Sequence, residues 1–251
     1  MAREQLTRPW LTLGIRLTAF PSSSWEAPAS LWRDVLGDDP DNEAYERAPQ
    51  LRVQSRQWQG GTLNLTASPL SVVWQAGPGA TEDGTPAAEQ MPVEGVVEQF
   101  YEFTRRWLVA TDMPIKRIGF GLHSVLPAND RAAAYRLLAD LVPSVNIDPD
   151  VSSDLAYQIN RFTESRSLAG LRLNRLMKWS APGFRQVQIQ LGVQGSPQVT
   201  TGRIFAGLDN DLNTAAEHTE PLDHEALGAI YDELIDLAWD NLRFGELGRE
   251  A

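Results

Sequence analysis

VEGVVEQFYEFTRRWLVATDMPIKRIGFGLHSV, residues 93–125, holds the two signals from which the fold is read. In its first part Val93, Val96, Val97, Phe100, Thr104, Trp107 and Leu108 recur at helical spacing on one face. Glu94, Glu98, Glu102, Arg105 and Arg106 fall mostly on the other, with acids early and bases late, as the helix dipole favours. Met113-Pro114 stops this helix. From Lys116 to Val125 the period drops to two, with Ile118, Phe120 and Leu122 on one face, the pattern of a half-buried strand.

Working outward, the same succession occurs on both sides of this junction. Before it, Leu11, Leu13, Ile15, Leu17 and Ala19 alternate with Thr12, Gly14, Arg16 and Thr18, which predicts a strand. A short helix from Pro28 to Leu36 follows, with Gly37 at its end. Asp38 to Glu46 reads as an acidic, solvated loop. Strands are expected at Leu51 to Trp58, at Thr62 to Ala67 through a Gly60-Gly61 turn, and at Ser71 to Gln75. After the junction come a helix from Asp130 to Leu141 capped by Asn129, and a loop over Asn146 to Asp154. Strands at Leu168 to Trp179, Arg185 to Val193 and Thr200 to Leu208 lead to a last helix, opened by Pro221 and Asp223 and carrying Leu227 to Leu242. The second of these strands alternates most cleanly, through Val187, Ile189, Leu191 and Val193.

The expectation is an α+β fold of two β-α-β-β-β-α halves, about residues 1–112 and 113–251. The halves form one extended antiparallel sheet with helices packed on one face, in a single domain. No residue-level repeat accompanies the element order.

Composition narrows the function. The chain has 251 residues, 42% of them hydrophobic and 22% charged, which suits a globular protein with a core. Its net charge of −11 disfavours a protein that binds polyanions without regard to sequence. With no cysteine, thiol nucleophiles, disulfide scaffolds and zinc–thiolate sites fall away. The first residues lack the apolar core of a signal peptide, and charged residues interrupt every apolar run, so a cytoplasmic protein without membrane contact is expected. Only Lys116 and Lys178 among the 22 basic residues are lysines, as a GC-rich genome would give.

Part of the chain resembles a group of sporadically distributed, uncharacterised bacterial and archaeal proteins of similar length. The helix from Phe100 to Trp107 and the strand from Ile115 to His123 are similar to that group's helix and its Arg-Ile-Gly-Leu-Arg-Tyr-type strand. Arg117, Ile118 and Gly119 match, while Gly121 and His123 stand about where the second Arg and the Tyr fall. Leu208 to Leu212 resembles a Leu-Asp-Ile-Asp-Val strand, and Leu222 to Leu242, with His224, a terminal helix containing histidine. The resemblance covers the C-terminal three-fifths and implies no activity. The group's scattered occurrence implies an accessory system, such as a defence or toxin–antitoxin locus.

Several clusters invite a chemical reading. Counted from Asp209 as the first position, Asp209, Asp211, Asn213, Glu217 and Glu220 fall at one, three, five, nine and twelve, the ligand spacing of an EF-type calcium loop. Thr214 stands where that loop needs Gly, and a strand precedes it where a helix should, so an acidic strand end accounts for the run. His218, Asp223 and His224 follow no known metal spacing and read as surface groups near a helix cap. Adjacent on a strand, His123 and Ser124 point to opposite faces and cannot act as nucleophile and base. No catalytic residue, metal site or cofactor is therefore assigned.

Charge placement says more. Arg161, Arg166, Arg172, Arg175, Lys178 and Arg185 meet one acid, Glu164, between them. From Asp209 to Asp240 acids dominate. These segments either form two contact surfaces of opposite sign or neutralise one another within the sheet. Trp10, Trp25, Trp32, Trp58 and Trp74 crowd the first half, and Trp58, opposite in parity to Val53, is a candidate exposed contact. The leading expectation is a non-catalytic protein that binds a macromolecular partner, foremost a protein, through the sheet face or the polar surfaces at Arg161–Arg185 and Asp209–Asp240, with Trp58 as a further contact. The alternatives are a nucleic-acid binder using the basic hairpin 161–185 and a metal-dependent enzyme built on Asp209, Asp211 and His218.

Overall fold

Two long strands, β1 (Leu11–Pro21) and β6 (Ile115–Ala128), pair antiparallel at the middle of a computed structural model that describes residues 5–48, 50–80, 87–88, 91–188 and 198–250. Their pairing sets Ile15 against Leu122, Leu17 against Phe120 and Ala19 against Ile118, all essentially buried. The sheet grows outward from this seam. On the β1 side lie β5 (Ser71–Pro78), β4 (Gly61–Ser68), β3 (Leu51–Trp58) and β2 (Asn42–Glu46). On the β6 side lie β10 (Gln198–Thr214), β8 (Arg172–Ser180) and β7 (Ala156–Glu164), with β9 (Gly183–Gln188) pairing the first part of β10. Every pairing is antiparallel. The chain is thus an α+β protein built on one antiparallel sheet.

Among the described residues four helices lie on the face that carries Ile15, Phe120 and Leu212. They are α1 (Leu31–Leu36), α2 (Val93–Ala110), α3 (Arg131–Leu141) and α4 (His224–Phe244), the last followed by a 3-10 turn, Gly245–Glu250. The amphipathic stripe read from the sequence is the buried side of α2, to which Phe103 is added. Its aromatic end closes a cluster in which Trp74 of β5 contacts Trp32, Phe103 and Trp107 at 5.6, 5.4 and 6.3 Å between ring centres. Three helix termini carry capping residues of a favoured type. Asp130 caps α3 and Asp223 caps α4, each accepting a backbone N–H at 2.7 Å, and Gly37 ends α1 with φ of 84°. The cap of α3 is therefore Asp130 and not Asn129.

The strands differ most from the sequence reading in four places, and β5, β6 and β9 also begin or end a few residues from their expected bounds. The acidic stretch expected as a loop contains β2, whose five residues are all exposed, so no hydrophobic alternation marks it. The strand β7 was not expected, because its helix-side positions run Tyr157, Ile159, Arg161 and Thr163 and break the apolar pattern halfway. β8 begins only at Arg172, after a turn in which the Ser165 hydroxyl accepts from the Ser167 and Leu168 N–H groups. β10 continues through Asp209 to Thr214, where it is sandwiched between β6 and β8. Ile189, Leu191 and Val193, assigned by alternation to a strand, lie outside the described residues. The β3–β4 turn is made by Gln59 and Gly60, with φ of 51° and 75°, the primed turn that matches strand twist. Gly61 is instead the first residue of β4, where a Cβ would come within 2.0 Å of the Gly77 carbonyl oxygen. Among the described residues no helix is long and apolar enough to cross a membrane.

Candidate binding face

Strand alternation sends every second side chain to the face opposite the helices, and cross-strand register then lines these side chains up in rows. One row runs from Gly14 of β1 through His123 of β6, Asp209 of β10 and Lys178 of β8 to Gln158 of β7. The next runs from Gln75 of β5 through Arg16, Gly121, Asp211 and Leu176 to Asn160. A third runs from Val73 through Thr18, Gly119, Asn213 and Asn174 to Phe162. The β4 and β5 part of this face is neutral and polar, with Thr62, Asn64, Thr66 and Gln75, whereas the β6, β10 and β8 part holds the charges.

Glycine shapes the centre of the face. Arg16 lies across Gly121, where a Cβ would meet its guanidinium at 3.4 Å, and reaches Asp211 at 3.9 Å. Both partners stay about half exposed, at 48% and 44%. Asn213 approaches Gly119 equally closely, and its amide donates to Asp211 at 3.1 Å while its carbonyl accepts from Asn174 at 2.9 Å. Burial lowers the pKa of His123; Asp209 opposes that shift and Lys178 reinforces it. The neutral imidazole is therefore favoured near neutral pH, flanked by a carboxylate and an ammonium. At one end of the face Arg117 covers the Phe20 ring and Arg172 covers the Phe162 ring, 5.2 and 4.5 Å from the ring centres.

The residues singled out from the sequence are distributed over both faces. Arg172 and Lys178 lie on the helix-free face, Arg172 paired with Glu217 at 3.2 Å and Lys178 opposite Asp209. Arg161 and Arg175 face each other across β7 and β8 on the helix side, where Arg175 donates to Asn241 of α4 at 2.5 Å. Arg166, in the β7–β8 turn, reaches Asp236 of α4 at 3.7 Å. The side chain of Arg185 lies outside the described residues. The basic and acidic runs thus meet, and the bases form no single patch. Trp58 sits on the helix side, half-buried, with its ring edge-on to Phe100 at 6.4 Å, while Val53 and Gln57 are the exposed residues of its strand.

Asp209, Asp211 and Asn213 occupy alternate positions of an extended strand, so their oxygens lie in a line and do not wrap a cation. Glu217 is engaged with Arg172, and among the described residues no group of three or more histidines and acids is placed to hold a metal ion. Asp223 and His224 begin α4, and His218 lies in the turn before it. Ser124 is buried on the helix side while His123 is on the other, as their adjacency required. The sequence reading weighs His123 only beside Ser124 and passes over Arg16, and the two adjacent rows that hold them follow from cross-strand register. Each shows as a polar position in an alternating strand, but only the register reveals its neighbours. No family model matches the chain, and no curated protein matches it.

Proposed function

We propose that this protein is a non-catalytic binding component that carries a macromolecular partner on the helix-free face of its sheet. The observation that supports this reading most is the charged half of that face. There the His123–Asp209–Lys178 row runs beside the Arg16–Asp211 pair over Gly121, with Asn213 over Gly119 in the next row. Arg16 and Asn213 of the chain itself fill the space over Gly121 and Gly119, and the alternating donors and acceptors that this leaves on the face suit a protein partner better than a polyanion. A nucleic-acid partner fits less well, because the basic residues of 161–185 are split between two faces and answered by acids.

The two halves descend from one β-α-β-β-β-α unit. Strands β5, β4 and β3 follow outward from β1 as β10, β8 and β7 follow from β6, each half ends in its long helix, and each has one added strand, β2 at the edge of the first and β9 beside β10 in the second. The chain works as one domain in the cytoplasm, as an accessory part of a horizontally carried system of the defence or toxin–antitoxin kind. The scattered group that it resembles is the support for that setting.

The test is to recover partners from the native host with tagged wild type, with Asp209→Lys/Asp211→Lys, and with Glu98→Lys on the exposed side of α2. A partner held by wild type and by the α2 variant, and lost from the double variant, is the expected result. A partner held equally by all three would overturn the reading. Release that steepens sharply with salt and leaves nucleic acid in the eluate would favour phosphate recognition instead.

A further inference from the structure

The path of strands through the sheet ends in two edges that are guarded very differently. β2 is five residues long, follows Pro40, and is crowded by Asp38, Asp39, Asp41, Glu43 and Glu46. Shortness, charge and proline are the devices by which proteins keep an edge from pairing with another chain. β7 is longer and lacks proline, and its two charged residues, Arg161 and Glu164, are of opposite sign. Its nine residues pair with β8 in unbroken register, without a bulge, and it contains neither proline nor lysine. Among the described residues its outward backbone groups have no backbone partner. Tyr157 and Ile159 are only half-buried on its helix side, and Phe162 is 59% exposed on the other.

We infer that β7 is the interface between two copies of this chain, joined antiparallel across a twofold axis into one continuous sheet. The edge is self-compatible. Pairing centred on Asn160 would set Arg161 against Ile159 of the second copy, Phe162 against Gln158, Tyr157 against Thr163 and Glu164 against Ala156. No like charges oppose, and both helix layers stay on the same side. A twofold contact uses the same edge from both copies and closes, whereas pairing β7 with β2 would propagate into fibres. The acids around β2 oppose that second outcome. This inference does not depend on the proposed partner face, whose rows end at Gln158, Asn160 and Phe162 of the same strand.

Sedimentation velocity over concentrations on the order of 1–100 μM tests it, a range that brackets ordinary dimer affinities. Wild type is expected to reach twice the 27.8 kDa chain mass. Asn160→Lys/Phe162→Lys, which places cations on the exposed side of both edges, is expected to stay at the chain mass. Gln158→Lys alone should weaken the dimer at least tenfold, and Ala44→Lys on β2 should leave it unchanged. Circular dichroism and the Tm of the dilute variants establish that they are folded. A wild type that remains monomeric throughout, or a dimer indifferent to the β7 variants, would overturn the inference.

Discussion

Glu246 shows how a single residue ties the C-terminus to the sheet. It is fully buried, and its carboxylate accepts the Ser144 N–H at 2.6 Å. Burial alone would raise its pKa, but the Ser144 and Tyr157 hydrogen bonds and the nearby Arg161 outweigh this and lower it. A carboxyl group with a depressed folded-state pKa stabilises the fold above its unfolded value, and that contribution is lost as pH falls through the folded value. Glu246→Gln should therefore be less stable than wild type at pH 7, and the gap should shrink on acidification below the ordinary carboxylate range. Urea melts at several pH values check this; a gap that widens in acid would contradict it. Proton NMR titration offers a second check at this scale. His123 should titrate below 6.5, the midpoint rising in Lys178→Met and falling in Asp209→Asn.

At the scale of elements, α4 is fastened to the sheet by an inward polar chain. The Asn241 amide donates to Asn210 of β10 at 2.6 Å, and its carbonyl accepts from Arg175 of β8. Both asparagines are fully buried, so Asn241→Leu strands polar groups at a cost of about 1–3 kcal/mol each. On the same face Trp107→Ala should cost about 3–5 kcal/mol, because the ring is 4% exposed and in contact with Trp74. Urea unfolding reads both, and a loss below about 0.5 kcal/mol, the range of ordinary surface changes, would refute either. The helices were legible because burial on one side leaves a 3.6-residue period. β2 and β7 were not, since an edge strand has little buried surface to impose alternation, and Arg161 and Thr163 occupy positions where the pattern wants apolar residues. Asp209 to Asn213 looked like a strand end because its outward residues are acids. Their position between β6 and β8 depends on pairings with distant segments.

For the whole molecule, the strand sequence told the class of sheet and the side on which the helices lie, but not which charges would meet. Lys178 faces Asp209 and Arg172 binds Glu217, so the runs that look polarised in the sequence meet in the sheet and partly offset each other. Such exposed pairs are each worth about 0–1 kcal/mol, too little to hold the fold, and are better suited to fixing which partner docks and in what orientation. The helix-free face is the central claim. Hydroxyl-radical footprinting of the protein, alone and with its recovered partner, tests it most directly. Protection at His123, Phe20 and Phe162 with Tyr101 and Phe244 unchanged is the predicted result; protection confined to Tyr101 and Phe244, on the helix side, would contradict it.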